Sequence, residues 1–421
     1  MRTKIEKLFS DKLVKNIGWQ TASQIFTRII RIATVVVLAR NLTTEDYGLM
    51  AILFAITDFA NVFIQKGGIA PKLIQAHPDE LKGLVNTAYW SNWVICIAIF
   101  SFQCLIAFPI ALFYENDKLI LPIIVAGIAY LVNPFYAVQD ALIRRDNRLE
   151  VGALAGAINA VVTQILLIIF AIMGLGIWSI VLALIAAQAS WLTVYRKNYS
   201  WKPSGGFTLK GWQDIFNFSK FPLGIEMLNY LRSNIDYLLI GKFFNVEQLG
   251  LYFFAFNAGL GISLTAINMV SNSVFPYLCE VRSDLKALKN KYMRSLKICA
   301  AIIFPLVLLQ SSLAPVYVPI VFGEKWLPAI PILILICLSA LPRPFALVSE
   351  QLLLAVDRGM VGLKWNVVFT IVFILSIVLA SQFSILAVAA VVLGIHLLCL
   401  PLFSISVSKA VFSGKKLFSL T

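Results

Sequence analysis

Gln20, Gln24, Arg28 and Arg31 follow one another at intervals of four, four and three, a spacing that stacks them on one helical face. The chain around them, IFTRIIRIATVVVLARNLTTEDYGLM over 25–50, is apolar enough to cross a bilayer. An arginine at the centre of a membrane helix costs about 2.5–3.5 kcal/mol on the mildest scale. A stripe of this kind must therefore face protein or water rather than lipid. Guanidinium groups are planar and permanently charged, and their forked donors suit phosphate-like anions. A second stripe, Glu226, Asn229, Arg232 or Ser233, and Asp236, has the same character, and Gln24 maps onto Glu226 at an offset of 202. Two such stripes on equivalent helices fit one shared central cavity. Gln24, Arg28, Arg31, Asn229 and Arg232 are the candidate substrate-binding residues. The alternative for the arginines is bracing, through an Arg28–Asp58 pair or an Arg232–Asp236 pair spaced i, i+4.

Asp58, Glu226 and Asp236 lie within predicted spans, where ionisable residues are functional candidates by default. They are candidates to couple transport to a proton or sodium gradient. Asp140, Glu350, Arg148 and Arg358 fall at span ends and read as braces within each half, or as an inner gate. Lys220 and Lys364, also near span ends, can snorkel to the surface. Asn92, Tyr89, Trp90 and Trp93 cluster in one span, as an interfacial aromatic belt or as a sugar-stacking platform. The cysteines at 96, 104, 279, 299, 337 and 399 form no C-x-x-C pair, and the two histidines are His77 and His396, so no metal site and no disulfide framework is expected. The absence of a G-x-x-x-x-G-K-[ST] loop excludes an encoded P-loop ATPase, and no nucleophile motif points to an enzyme. No resident cofactor is expected.

These residues need helices to position them. The 421 residues are 60% hydrophobic and 13% charged, with a mean hydropathy of +0.85. Soluble domains are less apolar and about twice as charged, so the chain is an all-α integral membrane protein. Spans of roughly 20 apolar residues are predicted at about 17–39, 46–66, 83–113, 119–142, 150–172, 174–195, 217–240, 250–275, 293–322, 327–349, 361–381 and 384–408. The formal charge of +14 fits basic cytoplasmic loops rather than nucleic-acid binding. With the N-terminus inside, the outer loops hold only Arg40, Lys118, Lys242 and Lys325, so both ends are expected in the cytoplasm. Ile5, Leu8, Phe9 and Leu13 recur among lysines and suggest a short amphipathic helix on the inner face, not a signal peptide.

The pattern is duplicated. NPFYAVQDALIRRDNRLEVG at 133–152 aligns with RPFALVSEQLLLAVDRGMVG at 343–362, matching Pro134/Pro344, Phe135/Phe345, Asp140/Glu350, Arg148/Arg358 and Gly152/Gly362 at a constant offset of 210. LARNLTTEDYGL at 38–49 aligns with LIGKFFNVEQLGL at 239–251. Pro109 and Pro319, offset by 210, fall late in the two longest spans, where proline can bend a helix. Twelve transmembrane helices are thus expected as two parallel six-helix repeats around a central cavity. The lobes are 1–195 and 217–421, joined by a cytoplasmic linker at 196–216. Transporters built from such repeats place the site between the halves and open it alternately to each side.

The stretch LARNLTTEDYGLMAI followed by QKGGIAPKLIQ resembles bacterial polysaccharide-unit flippases. These form the polysaccharide transporter branch of the multidrug/oligosaccharidyl-lipid/polysaccharide exporter superfamily. The likeness is strongest over 15–85. It implies movement of a polyprenyl-pyrophosphate-linked oligosaccharide from the inner to the outer leaflet of the bacterial cytoplasmic membrane, with a polysaccharide polymerase or export machinery as partners beside membrane lipid. The pyrophosphate would meet the arginine stripe. The rivals are a multidrug exporter of the same superfamily, whose cationic cargo calls for an acidic cavity, and a membrane polymerase or ligase of lipid-linked sugars, which would need larger outer loops. A passive channel has no filter-like sequence to support it.

Overall fold

The computed structural model describes residues 30–66, 69–203 and 206–412. Their regular structure is helical, with no strand among the described residues. Nine stretches there are long and apolar enough to cross a membrane: Thr44–Gln75, Gly83–Phe113, Asp117–Phe135, Leu149–Ile172, Trp178–Asn198, Leu285–Phe322, Glu324–Ala355, Gly359–Ala380 and Ile385–Phe412. These fall on nine of the twelve expected spans. The first expected span lies mostly outside the described residues, as does the amphipathic segment before it; residues 30–41 are helical. At the seventh, a helix runs from Trp212 to Phe243, and Asp214, Lys220, Glu226, Arg232, Asp236 and Lys242 lower its apolarity. At the eighth, Val246–Ala255 and Gly261–Cys279 are joined by a π-helical turn at Phe256–Leu260.

Outward faces are apolar. Leu112 is 81% exposed and Phe383 82%; in a bilayer these side chains meet lipid tails, so exposure carries no penalty. Inside, Phe254 and Trp326 stack at 4.0 Å between ring centroids, both completely buried. Pro109 lies inside the helix Pro78–Phe113, whereas Pro319 lies in a second π-helical turn, Val318–Phe322.

The helix starts are built from the quoted motifs. Thr43 Oγ1 accepts from the Asp46 N–H at 3.0 Å, and the Asp46 carboxylate accepts from the Thr43 N–H at 3.1 Å. This reciprocal capping box satisfies donors that a helix N-terminus leaves orphaned. Glu45 pairs with Lys118 at 2.9 Å and accepts from Asn116 at 3.2 Å, pinning the start of the span Asp117–Phe135. At the position offset by 202, Asn245 caps its helix by accepting from the Gln248 N–H at 2.7 Å.

The second motif pair also shares local geometry. The helices Ala137–Arg145 and Arg343–Ala355 both end on a left-handed residue, Asn147 at φ 56° and Asp357 at φ 58°. Asn and Asp tolerate that conformation better than most side chains. In both turns the N–H of the following arginine reaches back to close the helix end, Arg148 to Ile143 at 3.0 Å and Arg358 to Leu353 at 2.8 Å.

Backbone contacts group the chain into two units, Met1–Asn234 and Ile235–Thr421. The described part of the 196–216 linker packs on the first unit: Thr87 donates to the Lys210 carbonyl at 2.8 Å and Asn86 to that of Gly206 at 3.3 Å.

Candidate functional site

Within the first unit, two helices carry the charges singled out above. Arg31 is on the helix at 30–41 and Asp58 on Thr44–Lys66; both are exposed, although their helices are mainly apolar. Arg31 lies close enough for its charge to act on the Asp58 carboxylate. The sequence paired Asp58 with Arg28, which lies outside the described residues together with Gln24. The hydroxyls of Tyr130 and Tyr230 are also within electrostatic range of Asp58.

Packing fixes these tyrosines. Tyr230 donates to the Ala55 carbonyl, almost one turn before Asp58, and its ring lies 5.4 Å from that of Phe59. Tyr130 donates to Gln103 Oε1 at 2.9 Å, and Gln103 in turn donates to the Ile123 carbonyl at 2.6 Å. Asp58 is thus an exposed carboxylate with one guanidinium and two tyrosine hydroxyls within electrostatic range, the hydroxyls themselves donating to the Ala55 carbonyl and to Gln103. Such a set can exchange a small cation or a proton, and can orient an anion against Arg31.

Glu226 is half-buried on the long helix Trp212–Phe243. The side chains of Asn229 and Arg232, on the same helix, lie outside the described set. Asp236 is different in kind. It is 6% exposed, within the second unit. Tyr252 donates to one of its oxygens at 3.0 Å and the Tyr237 N–H to the other at 3.0 Å. The charge of Arg343 acts on the same cluster. A carboxylate so enclosed holds helices together; Asp58 is open and Asp236 is closed.

The four span-end residues form bonds inside their own units. Asp140 pairs with Arg144 at 2.9 Å, one helical turn on. Burial works against the Arg144 charge, but Asp140 and Tyr195 outweigh it and hold the guanidinium above its ordinary value. Arg148 donates to the Asn198 carbonyl at 3.1 Å, and Arg358 donates to the Ala410 carbonyl at 3.4 Å. Each arginine thus meets the last carbonyls of a helix, where the macrodipole favours a cation. Asn366 donates to Glu350 at 3.1 Å. Among the described residues no cluster of His, Cys, Asp and Glu could hold a metal ion.

The aromatic cluster at 89–93 packs against the linker. Tyr89 lies 5.7 Å from Trp201 and Trp90 lies 5.3 Å from Phe207, ring to ring. Asn92 donates to Asn133 at 2.9 Å, which donates to Tyr136 at 3.3 Å, which donates to Gln188 at 3.2 Å, a polar chain through apolar helices.

Residues 37–331, well over half of the chain, match the polysaccharide biosynthesis protein family. The chain belongs to this family. The match within this polysaccharide biosynthesis family takes in Asp58, Tyr130, Tyr230 and Asp236; Arg31 precedes it and Arg343 follows it. The teichuronic acid biosynthesis protein TuaB of Bacillus subtilis is 26% identical over 376 residues, covering 88% of this chain and 77% of its own length. The lipopolysaccharide biosynthesis protein WzxC of Escherichia coli is 26% identical over 387 residues, covering 88% and 76%. Among solved structures, the inward closed conformation of the lipid II flippase MurJ superposes with a TM-score of 0.74 at 14% identity, over 92% of this chain and 86% of that one. An inward-facing multidrug resistance transporter of the MATE family, in the MOP superfamily, gives 0.71 at 13% identity, over 92% and 93%. At these identities the likeness is one of fold: a multi-pass helical membrane architecture.

Tyr130, Tyr230 and Gln103 were not reached by sequence reasoning. Gln103 carried a signal, an amide in an otherwise apolar span. Tyr230 carried none, because its partner at Ala55 is 175 residues away.

Proposed function

We propose that this family member is a flippase that carries a polyprenyl-pyrophosphate-linked oligosaccharide from the inner to the outer leaflet of the bacterial cytoplasmic membrane. It is a transporter and not an enzyme. It works by alternating access in twelve helices, arranged as two parallel six-helix repeats around a central cavity, with both termini in the cytoplasm. Supporting the repeats are the paired caps at Thr43 and Asn245 and the paired left-handed turns at Asn147 and Asp357. Supporting the cargo are the names of TuaB and WzxC, both biosynthesis proteins of surface glycans, and the fold shared with a lipid II flippase.

The observation that carries the reading is Arg31, an exposed guanidinium on an apolar helix, acting on an open Asp58. Arg28 and Arg31, with Gln24, Asn229 and Arg232, take the pyrophosphate and first sugar. Asp58 is the foremost carboxylate for coupling to a proton or sodium gradient, and Glu226 is a second candidate; Asp236 is enclosed and supports the helices. A polysaccharide polymerase or export complex receives the product.

The test is surface glycan export in cells deleted for the gene and complemented with Arg28→Ala/Arg31→Ala. Normal membrane insertion with export lost is expected; full export by the double variant would overturn the assignment. A multidrug exporter is the second reading, favoured by the MATE fold likeness and by Asp58. It requires the complemented cells to gain drug resistance while glycan export is unaffected.

A further inference from the structure

Away from Arg31 and Asp58, the first unit holds a cavity of about 590 Å³ where the helix Trp178–Asn198 gives way to the linker. It is lined by Gln139, Arg196 and Lys202 together with the aromatic rings of Tyr89, Tyr199 and Trp201. Gln139 is 5% exposed. Its amide donates to the Trp201 carbonyl at 3.2 Å, while its Oε1 atom is buried and has no hydrogen-bond partner among the described residues. Arg196 lies over the Phe135 ring at 5.6 Å, held at the rim, and Lys202 is exposed. The cavity therefore offers two cations for an anion and an aromatic wall for a sugar or glycerol face.

The position adds depth to this chemistry. The lining residues begin where an apolar span ends, at headgroup level. Farther along the same linker, Phe207 is 64% exposed and Trp212 47%, aromatic side chains that suit the membrane interface. The second unit closes the equivalent place: Ser349, offset by 210 from Gln139, is completely buried and hydrogen-bonds to Tyr292 and Ser404, each at 2.9 Å.

We infer that this cavity binds the phosphate of a lipid headgroup at the membrane interface. Bulk anionic phospholipid and the lipid-linked sugar share that chemistry. The site is distinct from the Arg31–Asp58 pair, and its binding chemistry does not depend on transport.

Native mass spectrometry of the full chain in mild detergent tests it, with phosphatidylglycerol, phosphatidylcholine or a polyprenyl-pyrophosphate sugar added. Retention of phosphatidylglycerol or of the pyrophosphate sugar is expected, in preference to phosphatidylcholine. Arg196→Ala/Lys202→Ala should weaken it by about tenfold, equivalent to about 1.4 kcal/mol; Gln139→Leu, which removes the bond that holds Trp201 in the cavity wall, should weaken it while leaving the charges in place. Retention of phosphatidylglycerol alone assigns the cavity to bulk lipid, and of the sugar lipid alone to cargo. Equal retention of phosphatidylcholine, or binding unchanged in both variants, overturns the inference. Export by the Arg196/Lys202 variant reports on transport separately.

Discussion

The Tyr252 hydroxyl donates to the Asp236 carboxylate at 3.0 Å, joining a residue of the helix Trp212–Phe243 to one of Val246–Ala255. Tyr252→Phe keeps the ring and removes the donor, leaving an oxygen of a buried acid short of a partner. We expect a loss of about 1–3 kcal/mol, read as a lower unfolding midpoint of the purified protein in detergent. An unchanged midpoint would show that Asp236 does not need this bond.

Gln310 performs a similar service for backbone. Its amide donates to the carbonyls of Ala258 at 3.0 Å and Gly259 at 2.7 Å, inside the π-helical turn, and its oxygen accepts from Ser263 at 3.1 Å. A π turn breaks the regular i→i−4 ladder, so its carbonyls need outside partners. Gln310→Leu should speed amide exchange across 256–263 and lower stability by about 1–3 kcal/mol. Unaltered exchange would mean the turn stands without Gln310.

Gly176 has φ 54°, and a Cβ there would come within 2.9 Å of Asp46 Oδ1. That carboxylate is the one that caps Thr44–Lys66. Gly176→Ala should therefore destabilise both through backbone strain, about 1 kcal/mol or more, and by displacing the cap. Combining it with Asp46→Ala should be less than additive, since the cap is then already gone. Strict additivity in a double-mutant cycle would separate the two sites.

Asp58→Asn keeps the size of the side chain and removes its charge. Glycolipid uptake into vesicles should then lose its dependence on an imposed proton or sodium gradient. Gradient dependence equal to that of the unsubstituted protein would remove Asp58 from coupling.

Hydropathy alone placed nine of the expected spans where long helices occur, because a bilayer demands a length and a composition that few other contexts permit. The caps were present as letters, Thr43-x-x-Asp46 and Asn245-x-x-Gln248, though the reciprocal bonding of the first was not. The Arg148 and Arg358 bonds could be anticipated only as span-end charges. Their partners, Asn198 and Ala410, lie some fifty residues on and share no motif with them. The Gln139 cavity was hidden for a related reason. It exists because the linker folds back over Tyr89, and an irregular segment has no periodicity from which its course can be inferred.

The π turn at Phe256–Leu260 has an implication for how this protein can vary. Removing one residue there would restore plain α-helical winding, and each residue accounts for about 100° of rotation. The helix Gly261–Cys279 would turn by that angle, carrying Ser263 away from its buried bond to Gln310. A one-residue indel in this segment is thus a frameshift in space, and tolerated length changes belong in the loops.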